Sequence, residues 1–199
     1  MRPFCLFVAL LGSAAVTAPA APAQWTVSLE VGADRYWGGA VDSTPERLSL
    51  RPYRPTTVGA GVERRAGRWG IGLRLRYAEA SLALEGADAV TAVKGVFTVY
   101  SAAPEASYRV SRLGAGSRLV IHGGPLLEAW SVTDEGSETR IGVQAAFSLE
   151  VPLGGRVSGA LSAGAAVISS PFADDQLDPA FERRALWRRR VAAALEYGL

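Results

Sequence analysis

The chain has 199 residues, a formal net charge of +2, 49% hydrophobic residues and 20% charged residues. This composition suits one folded domain and argues against a disordered or collagen-like chain. The near-neutral charge gives no support to a nucleic-acid partner, which would require a basic surface.

The beginning of the chain has the features of a secretory signal peptide. Arg2 precedes an apolar run, and small residues follow up to Ala21-Pro22-Ala23, a small-x-small cleavage site. We therefore expect residues 1–23 to be removed and residues 24–199 to form the mature domain. Cleavage removes Cys5, the only cysteine, so neither disulfides nor thiolate chemistry is expected.

From Trp25 onward, apolar and polar residues alternate with a period of two, the pattern of strands that have one apolar face. In the first segment, for example, Trp25, Val27 and Leu29 alternate with polar residues. Eight such segments follow one another, at residues 25–34, 57–63, 69–77, 98–110, 118–129, 141–151, 157–167 and 188–199.

The connections between these segments alternate in length. Short turns join segments two and three, four and five, and six and seven, whereas longer polar loops are predicted at residues 38–52, 86–95, 133–138 and 170–184. After the signal, no apolar run is long enough for a membrane helix, and the other spanning structure that satisfies its backbone hydrogen bonds is a closed barrel. The sequence therefore predicts an all-β fold, an eight-stranded antiparallel up-and-down transmembrane β-barrel.

This pattern resembles the small outer-membrane β-barrel proteins of the OmpA/OmpX-like kind, and the resemblance covers the whole mature chain. The terminal run is similar to the C-terminal signal read by the barrel-assembly machinery, with apolar residues at Val191, Ala193, Leu195, Tyr197 and Leu199. The resemblance implies an outer-membrane location after signal-peptide cleavage. It also implies contact with membrane lipids and lipopolysaccharide, and we expect a monomer.

Three features predict that the apolar face points to lipid. Glycines are frequent on the polar face, as a narrow interior requires, and the chain carries neither the disulfide nor the terminal helix of a lipocalin. Aromatic residues gather at the strand ends, with Trp25, Trp69, Tyr108 and Tyr197 on the turn side and Trp37, Tyr100 and Trp187 on the loop side. A soluble periplasmic lipocalin-like barrel stays the alternative.

The polar face then carries a nearly balanced set of charges into the lumen. Its acids are Glu30, Asp34, Glu63, Glu105, Glu128, Glu150 and Glu196, its bases are Arg74, Arg76, Arg109, Arg118, Arg188 and Arg190, and His122 joins them. Charges inside a narrow lumen are costly unless paired, so we expect a cross-linked ionic network that plugs the barrel. Removal of one partner, such as Arg74, is expected to leave a carboxylate unpaired. A narrow pore or transporter would be favoured if the charges lined one side.

The residue types of an enzyme are present but not in the required arrangement. His122 and Glu128 share the polar face, and outer-leaflet lipid A deacylases place a serine two positions after their histidine on the lipid face. Here that position is Gly124, and His122 points inward. We therefore expect no catalytic residues, although a lipid A-modifying enzyme stays an alternative.

No cofactor or metal is expected either. The glycine pairs of the strands lack the third glycine and the helix of a dinucleotide site. The last loop offers oxygen ligands of the type that calcium prefers, but without EF-hand spacing, at Asp174, Asp175, Asp178 and Glu182. These observations favour a structural or surface-interaction protein.

Two arginines lie on the otherwise apolar outward face. Arg35 and Arg189 each stand ten residues from a strand end, at Trp25 and Leu199. Ten residues with a rise of about 3.3 Å, tilted by about 40°, climb about 25 Å, the height of the apolar band. Closure of the barrel makes their strands neighbours, so we expect the pair at the outer headgroup level, in contact with lipopolysaccharide phosphate.

Overall fold

The computed structural model describes residues 24–42, 49–85, 90–132, 136–170 and 181–199, and nearly all of them lie in β-strands. The predicted signal peptide, residues 1–23, lies outside the described residues. The strands are β1 (Gln24–Asp42), β2 (Ser49–Tyr53), β3 (Thr56–Ala66), β4 (Trp69–Glu85), β5 (Val90–Arg112), β6 (Arg118–Val132), β7 (Gly136–Gly154), β8 (Val157–Ile168) and β9 (Phe181–Gly198). In the described part of the chain, no helix is long and apolar enough to cross a membrane.

The strands form one closed antiparallel ring. Strands β3 to β9 pair in chain order, and β9 pairs with β1 along its length, from Thr26 opposite Gly198 to Asp42 opposite Phe181. Both β2 and β3 lie between β1 and β4, so the two occupy one position of the ring. Nine strands thus fill eight positions, and the predicted eight-stranded up-and-down barrel is confirmed.

The position shared by β2 and β3 is interrupted at Arg54 and Pro55. Arg54 has a left-handed φ of 37°, and proline has no N–H to donate to a strand ladder. The carbonyl oxygen of Pro55 still accepts a hydrogen bond from the backbone N–H of Asp34, at 3.1 Å. One backbone hydrogen bond therefore joins β1 to the interruption, whereas residues 35–39 of β1 have no register partner in β2 or β3.

The predicted loop bounds are wrong, because the strands extend further toward the long-loop end. β1 continues to Asp42 and β2 begins at Ser49, both inside the predicted loop 38–52. In the same way β5, β7 and β9 begin inside the other three predicted loops and shorten them. The alternation fades there because inward-facing positions, such as Tyr36 and Phe97, become apolar.

Apolar side chains cover the outside of the barrel and most charged ones point inside. Leu29, Ile71 and Ile141 are 71%, 68% and 67% exposed, whereas Glu30 and Glu150 are buried. A lipocalin-like barrel would have the opposite arrangement, with an apolar cavity inside. The predicted orientation of the two faces is therefore the observed one.

Aromatic residues form pairs on the outer wall near both ends of the barrel. At the end that carries the short turns, which we call the turn end, Trp69 and Tyr108 have ring centroids 4.7 Å apart. Toward the opposite, loop end, Trp37 stacks on Trp187 at 6.3 Å, and Tyr77 lies 5.2 Å from Tyr100. Such girdles are typical of the two interfaces of a bilayer.

The loop end of the lumen is filled by an apolar cluster that sequence analysis did not predict. Tyr36 and Phe97 contact Trp130 edge-on, with ring centroids 6.0 Å and 5.7 Å apart. Leu186 and several alanines complete the cluster, and all of these residues are buried. The lumen therefore changes from ionic to apolar along its axis.

Closure of the ring should make the folded barrel resistant to detergent. Since no strand edge is left unpaired, we expect unboiled protein, folded in micelles, to migrate faster in SDS gels than the boiled sample. Equal mobility before and after boiling, or a helical circular-dichroism spectrum, would contradict the fold.

Candidate functional site

The centre of the lumen is a carboxylate held by three arginines. Glu30 of β1, whose side chain is 1% exposed, contacts Arg74 Nη1, Arg76 Nε and Arg190 Nη2, each at 2.8 Å. The wall beside it is Gly59, where an added Cβ would lie 2.9 Å from Glu30 Oε1. A glycine is therefore required at this position to leave room for the carboxylate.

A second carboxylate extends this contact set across the lumen. Glu105 of β5 lies 3.3 Å from both Arg74 Nη2 and Arg76 Nη2. Gln144 of β7 donates to Glu105 Oε1 at 2.6 Å and accepts from Arg76 Nη1 at 3.2 Å. Side chains from β1, β4, β5, β7 and β9 thus meet in one connected group.

A buried ion pair lies between this group and the apolar cluster. Glu128 of β6 and Arg188 of β9 form a close salt bridge, with side chains 0% and 3% exposed. Ser101 and Trp130 each donate a hydrogen bond to the Glu128 carboxylate, at 3.1 Å. The full hydrogen bonding of this carboxylate offsets the cost of burying its charge.

Toward the turn end, the central cation is Arg65. Sequence analysis placed this residue in the short turn between segments 57–63 and 69–77. Arg65 of β3 binds both oxygens of Glu150, at 3.0 Å and 2.8 Å, and donates through Nε to Glu63 at 2.8 Å. Arg118 Nη1 lies at 3.8 Å from Glu150. The signal was available in the sequence, since Glu63 and Arg65 stand two apart in one strand and share a face.

Two residues of the predicted network are not part of it. Arg109 makes no ion pair with the described residues, and its buried Nε has no hydrogen-bond partner among them. Glu196 accepts only a long hydrogen bond from Ser158 Oγ, at 3.4 Å. Both residues lie toward the turn end of the barrel. The near-balance of charges therefore does not mean that every charge is paired.

His122 lies in the lumen beside a serine from another strand. Its Nε2 is 2.8 Å from Ser148 Oγ, and its Nδ1 is 3.8 Å from Glu105, too far for a hydrogen bond. Glu128, six residues after His122 and on the same face, forms a salt bridge with Arg188 instead. The set has the residue types of a serine hydrolase, but the third contact that would orient the imidazole is missing.

The space around His122 is also too small for a substrate. Two voids in the described lumen, one bordered by His122 and Glu30 and the other by Glu63 and Glu196, have volumes of about 30 Å³ and 20 Å³. One water molecule needs about 10–15 Å³, so each void holds one or two. An acyl chain or a sugar ring does not fit.

The two outward arginines stand side by side on the wall. Arg35 of β1 lies directly opposite Arg189 of β9 in the strand register, and both side chains are exposed. The guanidinium carbon of Arg189 lies 4.7 Å from the centre of the Trp37 ring. A third arginine, Arg54, borders the same open depression of about 420 Å³. Sequence analysis missed Arg54, because its place depends on the interruption between β2 and β3.

No group of acidic, histidine or cysteine side chains in the described part of the chain could hold a metal ion. Three acids of the last predicted loop, Asp174, Asp175 and Asp178, lie outside the described residues. The fourth, Glu182, lies 3.5 Å from Arg184 and is exposed. The side chains available for a site are therefore the ionic lumen and the outward arginines.

No family model matches the chain, and no curated protein sequence matches it. Solved structures do. The chain is similar to Neisserial surface protein A (NspA), with a TM-score of 0.57 and 13% identity over 89% of this chain and 99% of that one. It is also similar to the outer membrane protein OprG from Pseudomonas aeruginosa, with a TM-score of 0.56 and 10% identity over 88% of this chain and 95% of that one. At these identities the likeness shows the fold, which is that of the small eight-stranded outer-membrane barrels.

Substitution of Glu30 tests the central contact set. Glu30→Gln should lower the free energy of unfolding by about 3–5 kcal/mol, because buried guanidinium groups lose their common carboxylate. Arg74→Gln should cost less, since Glu30 keeps Arg76 and Arg190; the expectation that loss of Arg74 leaves a carboxylate unpaired is therefore wrong. Urea unfolding in micelles measures both.

The matched control for Glu30→Gln is Glu182→Gln, which removes the carboxylate of an exposed ion pair with Arg184. We expect it to cost less than about 1 kcal/mol. If Glu30→Gln and Glu182→Gln lowered the free energy of unfolding equally, the central carboxylate would have no special role.

Proposed function

We propose that this protein is an integral outer-membrane β-barrel with a blocked lumen, and that it acts as a structural or surface-interaction protein rather than as a pore or an enzyme. The short turns would face the periplasm and the loop end the cell exterior, the usual orientation of such barrels. The apolar outer wall supports membrane insertion, because an exposed apolar surface of this extent is not stable in water.

The observation that supports the proposal is a series of side-chain contacts along the lumen. The aromatic contacts of Trp130, the Glu128–Arg188 pair, the Glu30 contact set and the Arg65–Glu150 pair follow one another along the axis. The voids beside them are of water size. A hydrated ion would have to break buried ion pairs to pass, and this disfavours the alternative of a narrow pore.

The enzyme alternative needs a nucleophile and a base together on the lipid face. His122 and Ser148 are both buried in the lumen, at 7% and 4% exposure, so lipid A in the outer leaflet cannot reach them. Nothing in the described part of the wall offers a second histidine, since His122 is the only one in the chain.

The proposal also covers export and assembly of the protein. Residues 1–23 would be removed as a signal peptide, and residues 24–199 would fold with the help of the barrel-assembly machinery. This part of the proposal is supported by the position of the terminal strand, because β9 closes the ring by pairing with β1. Because closure leaves no free edge for a second copy, we propose a monomer.

The surface role that the wall supports is contact with lipopolysaccharide phosphate. Arg35 and Arg189 stand near the outer aromatic girdle beside Trp37, and Arg54 borders the same depression. An arginine exposed to hydrocarbon costs about 2–4 kcal/mol at the midplane and little near the interface. Guanidinium groups bind phosphate through paired hydrogen bonds, and lipid A carries phosphates at this level.

Planar bilayers test the blocked lumen. Purified wild-type protein should give no steady conductance of porin size, because the ionic group and the apolar cluster fill the axis. A known porin added afterwards to the same membrane serves as the control for recording. Large, reproducible steps from the wild type would overturn the proposal.

Co-purification tests the lipopolysaccharide contact. The double variant Arg35→Gln with Arg189→Gln should retain at least about tenfold less lipopolysaccharide, because loss of a single charge-assisted hydrogen bond, worth about 1.5–3 kcal/mol, already lowers affinity by that factor. Addition of Arg54→Gln should lower retention further. The matched control is Arg64→Gln, an exposed arginine near Trp25 at the turn end, which should change nothing. Unchanged retention in the double variant would mean that the pair only reaches toward water.

A further inference from the structure

An open depression at the turn end of the barrel is bordered by four arginines. It has a volume of about 630 Å³, and Arg65, Arg68, Arg109 and Arg112 border it together with Val110. No acidic side chain of the described residues borders it. Like charges brought together in this way repel one another unless an anion lies between them.

Three of these arginines have no anionic partner among the described residues. Arg65 is occupied by Glu63 and Glu150. Arg68, Arg109 and Arg112 form no ion pair with the described residues, and Arg109 Nε is buried without a hydrogen-bond acceptor. Clustered cations without a counterion repel one another, and a bound oxyanion would offset this repulsion.

The position of the depression indicates what kind of anion fits. Arg68 Nη1 donates to the hydroxyl of Tyr108 at 3.4 Å, and Tyr108 pairs with Trp69 in the aromatic girdle of the turn end. Val110, which is 39% exposed on the outer wall, borders the same depression. One side is therefore cationic and the other is apolar and lipid-facing. A free anion would use the first side only, whereas an amphipathic molecule uses both.

We propose that Arg68, Arg109 and Arg112 bind the phosphate group of a phospholipid from the periplasmic leaflet, with an acyl chain lying along Val110. The inference rests on the proposed membrane insertion and concerns the leaflet opposite to lipopolysaccharide. Arg68 and Arg112 contact the phosphate from the rim, and Arg109 borders the depression beside them and contributes its charge.

Phosphatidylglycerol is the probe, added to protein in neutral detergent and followed by native mass spectrometry. The triple variant with Arg68, Arg109 and Arg112 each changed to Gln should bind it about tenfold more weakly than the wild type, since three charge-assisted contacts are lost. The double variant Arg68→Gln with Arg112→Gln removes exposed side chains only, so it should fold normally and still show a clear loss. Faster migration before boiling verifies folding of each protein, which separates a failure of this site from a failure of the barrel.

The control is Arg156→Gln, an arginine of the β7–β8 turn at the same end of the barrel, which borders a different depression. It should bind phosphatidylglycerol like the wild type. Wild-type affinity in the triple variant, or an equal loss in Arg156→Gln, would overturn the proposal. Inorganic phosphate in a parallel titration should not displace the lipid at equal concentration. If it did, the site would be one for a free periplasmic anion and the assignment to phospholipid would be wrong.

Discussion

An eight-stranded ring encloses so little space that charged side chains pointing inward must satisfy one another there. This constraint accounts for most of the interior. Glu30 takes three guanidinium groups because β4 and β9 both direct arginines to the same level, and Gly59 leaves the room for them. Toward the turn end the constraint is met only in part, because Arg109 and Glu196 make no ion pair with the described residues.

The sequence predicted what depends on the alternation of residues, namely the strand count, the closed ring, the orientation of both faces and most of the inward charges. It did not predict the strand extensions, because Tyr36, Phe97 and Trp130 are apolar residues that point inward and so remove the contrast between the two faces. Arg65 was assigned to a turn, because a turn boundary is set by the register of β3 against β4 and not by composition. The sequence did not place Arg54 beside Arg35 and Arg189. Arg54 lies in the interruption between β2 and β3, which the alternation of residues does not predict.

Five arginines of the described residues lie outside the ionic lumen, toward the two ends of the apolar wall. Arg35, Arg54 and Arg189 lie together near the loop end, and Arg68 and Arg112 border the turn end. Arginine can keep its guanidinium group in a headgroup layer while its stem covers apolar surface. The two sets would fix the height of the barrel in the bilayer, together with the aromatic pairs beside them.

The three partners of Glu30 also bear on how the chain folds. Arg74 and Arg76 are 44 and 46 residues away from it in sequence, but Arg190 is 160 residues away. The first two contacts can form within a partial sheet of β1, β3 and β4, whereas the third requires the terminal strand to reach the first one. Contacts of such long range make folding slow. Completion of the ionic group and closure of the ring are therefore one event, and an open sheet gains only part of the stability until its last strand docks.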